Sequence, residues 1–167
     1  MNTASNFRPL RTAATLIGVG MGGFVDGIVF HQILQTHNML SAKLPKTTIA
    51  NIEINMVWDG IFHAFCWIMV FSGLMLLWNA GKKADVPWSS KTLFGSMLLG
   101  WGLFNLIEGL LDHHILNLHH VIERLGVSFA DYLFLLSGVV FIAIGSAMNR
   151  AASNDTTPSP GQRGRVV

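Results

Sequence analysis

Three segments of the chain carry an acidic residue, a glycine, an aliphatic residue and, four or five positions after the acid, a histidine: Asp26-Gly27-Ile28-Val29-Phe30-His31, Asp59-Gly60-Ile61-Phe62-His63 and Glu108-Gly109-Leu110-Leu111-Asp112-His113. Imidazole nitrogen and carboxylate oxygen are the donors that zinc, iron, manganese or copper(II) accept, whereas copper(I) usually calls for sulfur. Each copy lies inside a hydrophobic stretch long enough to cross a bilayer. An acid there costs about 2.5–3.5 kcal/mol on insertion scales, and pairing or a bound ion offsets that cost. Three helices with the same pattern are expected to converge on one divalent-metal site.

The elements that must position these residues are membrane spans. The 167 residues are 51% hydrophobic and only 12% charged, with a mean hydropathy of +0.47, too apolar for an ordinary soluble domain. Four segments approach the roughly 20 apolar residues that a span requires, about residues 12–35, 56–78, 93–116 and 129–148. The expectation is an all-α integral membrane four-helix bundle over 12–149, preceded by a short segment 1–11 and followed by a Ser-, Pro-, Gly- and Arg-rich tail 150–167 that reads as disordered. The first apolar run lacks an A-x-A-like cleavage site and is interrupted by Asp26 and His31, so it reads as a retained helix. The lone Cys66 falls in the second span and reads as a small packing residue.

Basic residues orient the bundle. Arg8, Arg11, Lys82, Lys83, Lys91, Arg150, Arg163 and Arg165 fall on one side of a chain that crosses four times, against Lys43, Lys46 and Arg124 on the other. The positive-inside rule then puts both termini in the cytoplasm, in a bacterial inner membrane. With the basic residues so explained, the chain's net charge of +2 is no sign of nucleic-acid binding. In this orientation all three acid–histidine motifs lie in the outer half, so the metal site is expected to open toward the periplasm.

Residues three, four, seven and eleven apart share a helix face. That places Asn55, Asp59, His63 and Cys66 on one stripe and Trp101, Asn105, Glu108 and Asp112 on another. Asp26 and His31, five apart, project about 140° apart on an ideal α-helix, so His31 is expected to reach the site obliquely. Gly18 with Gly22 and Gly23 with Gly27 read as small-xxx-small packing pairs, as do the glycines of the third span. Ser128 and Asp131 match a capping box, which assigns Asp131 to a helix start and leaves the fourth span as a wall.

Asp26, His63 and Glu108 are the expected deep ligands. Asp59, Asp112, His31 and His113 would form a second site or orient the first, since ligating histidines need carboxylate partners. His114, His119 and His120, at the outer end of the third span, would form an exchange patch, and His37 reads as a solvated loop residue. The Glu-x-x-His pair of carboxylate-bridged di-iron bundles is absent, and the histidine spacing is not that of membrane desaturases. A proton-translocating role, a haem site and a hydrogen-bonded structural core are the competing classes. The glycine seams also allow a homo-oligomer or another membrane protein as partner.

Residues 10–149 resemble a bacterial membrane-protein family known as domain of unknown function 2243. The resemblance rests on Gly22-Gly23-Phe24-Val25-Asp26-Gly27-Ile28-Val29-Phe30-His31-Gln32-Ile33-Leu34-Gln35, on Trp58-Asp59-Gly60-Ile61-Phe62-His63, and on Asn105-Leu106-Ile107-Glu108-Gly109-Leu110-Leu111-Asp112-His113-His114 with His119-His120-Val121. It implies four spans and, through encoding near assembly factors for haem-copper oxidases, a role in respiratory-metal handling. The segment Thr36-His37-Asn38-Met39 departs from the pattern, so the resemblance gives no ligand there.

Overall fold

The computed structural model describes residues 6–154 and 156–157. Four long helices form it: α1 (Arg8–Val25), α2 (Ile49–Gly81), α3 (Ser90–Glu108) and α4 (Phe129–Arg150). With the turns that extend α1 and α3, all four are long and apolar enough to cross a membrane. Pro9 begins α1, where its missing N–H costs nothing. Thr48 and Ser89 cap α2 and α3 by accepting the N–H groups of Asn51 and Thr92. Ser128 donates its N–H to Asp131 Oδ2 at the start of α4, as the capping-box pattern predicts.

α1 packs on α2 and on α3, and α3 packs on α4. The central pair is the more enclosed: 50% of the α1 span and 44% of the α3 span are buried, against 11% for α2 and 17% for α4. Backbones touch where side chains vanish. A methyl group on Gly18 would lie 1.9 Å from the Met97 carbonyl oxygen, and one on Gly100 would lie 2.1 Å from that of Thr15.

Those two contacts are one contact made twice. Met97 follows Thr15, and Gly100 follows Gly18, by the 82-residue interval that separates Ser41 from Glu123. The match extends to the second helix of each half: Gly20 faces the Cys66 carbonyl as Gly102 faces that of Gly138, and Gly73 faces Ile17 as Gly145 faces Leu99. The bundle is therefore two α-helical hairpins related by a pseudo-two-fold axis that passes between α1 and α3.

Both inner helices widen at the same place. The turns Asp26–Ile33 and Gly109–Ile115 are π-helical, and each is followed two residues on by a residue of positive φ, Gln35 at 51° and Asn117 at 49°. Matching bonds close them, Leu34 N–H to Val29 O and Leu116 N–H to Leu111 O, then Thr36 N–H to Phe30 O and Leu118 N–H to Asp112 O. The loops that follow cross over one another, with Ala42 N–H donating to Leu118 O and Glu123 N–H to Thr36 O. Beyond α4 the segment read as a tail starts with a 3₁₀ turn, Ala151–Asn154, and Thr157 pairs its backbone with Trp88. Residues 1–5 and 158–167 lie outside the described residues.

Candidate metal centre

The π-helical turns decide which side chains meet. An i→i+5 hydrogen-bond pattern puts more residues in each turn than an α-helix does, so a side chain five positions on returns to the face it left. His31 Nε2 lies 3.1 Å from Asp26 Oδ2, and His113 Nε2 lies 3.1 Å from Glu108 Oε1. The 140° separation expected for Asp26 and His31 is overturned, because it assumed a regular α-helix.

Eleven residues after each acid comes a second histidine, His37 and His119. Both are fully buried. His37 Nδ1 bonds the Val121 carbonyl at 3.0 Å and His119 Nδ1 bonds that of Met39 at 3.1 Å, each reaching into the opposite half. The two rings stack across the axis, centroids 4.6 Å apart and 3° from parallel. His37 is thus no solvated loop residue: the crossed loops carry it into the centre.

Asp59 and Asp131 complete the set. His31 Nδ1 lies 3.0 Å from Asp59 Oδ1, and His113 Nδ1 lies 3.0 Å from Asp131 Oδ1. Each of these oxygens also accepts a loop N–H, from Met39 and from Val121. Asp131 is therefore both the cap of α4 and the partner of His113, and α4 is more than a wall.

A carbonyl oxygen can only accept, so the Nδ1 atoms of His37 and His119 carry hydrogen, and in the neutral ring their Nε2 atoms then carry the lone pair. The Asp59 carboxylate places hydrogen on His31 Nδ1 in the same way, whereas His113 Nδ1 lies 3.0 Å from Asp131 Oδ1 without a hydrogen bond. All four Nε2 atoms then point inward at two carboxylates: His31 and His37 at Asp26 (3.1 and 3.8 Å), His113 and His119 at Glu108 (3.1 and 2.8 Å). The contacts of His113 and His119 with Glu108 Oε1 have hydrogen-bond geometry, and a metal cation between a neutral Nε2 and the carboxylate would take the place of that hydrogen. Asp26 Oδ2, His31 Nε2, His37 Nε2 and Glu108 Oε2 are buried without a hydrogen-bond partner. Burial holds His37 below its ordinary pKa. Burial acts the same way on His119, but its contact with Glu108 outweighs it and raises that pKa.

Two donor sets have ligand atoms mutually within 4.8 Å: His31, His37 and His119, and Glu108, His113 and His119. Imidazoles whose outer nitrogen is held by a carboxylate or carbonyl are how proteins present histidine to a metal.

Other expected ligands fall elsewhere. His63 belongs to an ordinary α-helical turn, and its Nε2 faces Gly27. Gly60 beside it has open space where Gly27 and Gly109 are tightly packed, so the Asp59 segment is no third copy of the motif. Asp112 is part-buried and lines a crevice, and His114 bonds the Gly109 carbonyl. His120 Nδ1 stays 3.8 Å from Asp131. The exchange patch is not formed, since His119 and His120 are buried beneath the crossed loops.

Two matching side crevices lead to the acids. One of about 230 Å³ is lined by Val19, Phe62, Phe65, Phe104 and Ile107 and reaches Glu108; the other, of about 180 Å³, is lined by Gly22, Val25, Trp101, Phe134 and Phe141 and reaches Asp26. A larger cavity, about 500 Å³ among Leu74, Leu77, Trp78 and Trp88, lies at the opposite end of the spans and has no part in the centre.

A family model described as "Predicted membrane protein (DUF2243)" matches residues 13–152. No curated protein and no solved structure matches the chain.

Proposed function

The chain belongs to the DUF2243 family of predicted membrane proteins, and from that premise we propose that it is a metalloprotein of the bacterial cytoplasmic membrane, holding a divalent transition metal between its two helical hairpins. The observation that carries this reading is the inward convergence of four Nε2 atoms on two buried carboxylates, with Nδ1 of His37 and His119 bonded to backbone carbonyls and Nδ1 of His31 bonded to Asp59. A purely structural hydrogen-bonded core would not leave Asp26 Oδ2 and Glu108 Oε2 without partners. All-nitrogen-and-oxygen donors suit zinc, iron or copper(II).

The bundle's basic ends, with Arg8, Arg11, Lys82 and Arg150 at the side of the termini, favour a cytoplasmic placement of both ends. The centre then lies toward the periplasmic face, under the crossed loops. The ionisable cluster stops there: among the described residues, the buried polar side chains toward the termini are Thr92, Ser96 and Ser89, which offer no chain of titratable groups for proton translocation. Metal handling for a respiratory oxidase is the role that the family resemblance adds.

The test is elemental analysis by plasma mass spectrometry of protein purified in mild detergent without chelator, beside Glu108→Gln. Transition metal bound to the wild type and depleted in the variant is the expected result. Equal metal in both, or none in the wild type after zinc, iron and copper are added back, would remove the assignment.

A further inference from the structure

We infer that the centre is dinuclear: two divalent first-row metal ions, each held by two histidines and one carboxylate, Asp26 with His31 and His37 on one side of the pseudo-two-fold axis and Glu108 with His113 and His119 on the other. The inference rests on the metal-binding reading above and adds the number of ions and the assignment of their ligands.

The argument is geometric. Donors on one ion, at about 2.0–2.2 Å from it, lie no more than about 4.4 Å from one another. The inward donors do not meet that limit as one group: among the described residues, those whose ligand atoms lie within 4.8 Å of one another form two sets of three, which overlap only at His119 and leave Asp26 outside both. A neutral imidazole nitrogen has one lone pair and binds one ion, so His119 belongs to one set. Its 2.8 Å approach to Glu108 Oε1 assigns it there, with His113. The other set then lacks an anion, and Asp26 supplies it, 3.1 Å from His31 Nε2 and 3.8 Å from His37 Nε2.

The pseudo-two-fold fold gives the same division independently. Asp26, His31 and His37 correspond to Glu108, His113 and His119, and Asp59 holds His31 as Asp131 holds His113. Two matching half-sites would each present one carboxylate to a dication. Glu108 Oε2 and Asp26 Oδ2 are both buried without a hydrogen bond, as oxygens that would hold an ion are. Three ligands per ion leave positions open, and each acid is reached by its own apolar crevice. A two-histidine, one-carboxylate set with open positions is a catalytic rather than a closed structural donor set.

The experiment is a titration of metal-stripped full-length protein in detergent with Co(II), counting bound ions after gel filtration by plasma mass spectrometry and following the Co(II) electron paramagnetic resonance signal. The expected result is two equivalents, with the signal per cobalt falling as the second ion binds beside the first. Asp26→Asn and Glu108→Gln are each expected to bring the count to one or fewer. A wild-type count of one overturns the dinuclear inference and leaves the metalloprotein reading intact. A wild-type count of zero removes both. Two equivalents with undiminished signal, or two that survive in both variants, place the ions elsewhere and overturn the inference. The wild-type count and signal decide the matter even where a variant fails to fold.

Discussion

The hairpin from Arg8 to Gly81 and the hairpin from Ser90 to Arg150 place the same donors in the same geometry, yet differ in much of what surrounds them. Acid, first histidine, second histidine and outer aspartate recur: Asp26, His31, His37 and Asp59 against Glu108, His113, His119 and Asp131. Around them the halves diverge. His63 packs on Gly27 where Leu135 packs on Gly109. Asn38 bonds the outer aspartate at 2.5 Å where His120 stays 3.8 Å away, and Phe30 stands where the other half has Asp112. What both halves repeat is what the centre needs. What only one half carries, however polar, is expected to be dispensable to it.

Substitutions can break that division, and the largest effect is expected at the axis. His37→Ala combined with His119→Ala removes the stacked pair and one ligand from each half-site, so bound metal should fall to roughly a tenth of wild type or less; metal retained near wild type would show that the axis is not the site. Next come the outer aspartates. Asp59→Asn and Asp131→Asn should each weaken metal affinity about 10–100-fold, as loss of a histidine's carboxylate partner does, and in competition titrations the two should be alike. Asp131→Ala should also cost about 1 kcal/mol, because the Ser128 N–H then loses its acceptor at the start of α4, read as a lower Tm.

A smaller effect is expected from acid. Protons compete with metal for Nε2, and His119, whose pKa the Glu108 contact raises, takes one up at a higher pH than an ordinary histidine does. Metal affinity should drop by about tenfold or more between pH 8 and pH 6, and a flat profile would contradict imidazole ligation. The smallest effect is the most pointed. His63→Leu gives the first half the residue of the second and should leave metal content unchanged, and depletion would show that the halves were divided wrongly. Packing of the pair can be tested apart from its chemistry: Gly100→Ala sets a methyl against the Thr15 carbonyl and should cost about 1–3 kcal/mol, while Gly60→Ala, facing open space, should not destabilise.

The four spans were legible because bilayer length and apolar composition are one-dimensional properties of sequence. Asp26, His31, Asp59, Glu108 and His113 were legible as costly residues in apolar runs, whereas His119, beyond the third span, reads only as part of an outer patch. The π-helical turns were not, since an α-helical period was applied across Asp26–His31 and Glu108–His113 alike. The signal was there: two acids with a histidine five residues on and another eleven on, beside a third acid, Asp59, with a histidine only four on. Grouping Asp59-Gly60 with the other two hid the two-fold repeat and drew His63 into the ligand set. His37 was passed over because loop residues are usually wet, and nothing local in Thr36-His37-Asn38 reveals that the opposite loop accepts its Nδ1 hydrogen. Asp131 was recognised as a cap; its second role depends on His113, brought near only by the packing of α3 on α4.

X-ray absorption spectroscopy of the metal-loaded protein tests the central claim most directly, because it reads the ligand atoms themselves. The account predicts a shell of nitrogen and oxygen only, at about 2.0–2.2 Å, with outer-shell imidazole scattering equivalent to two histidines per ion. Sulfur in the shell, which would bring in Cys66 or a methionine, or a shell without imidazole, would contradict it.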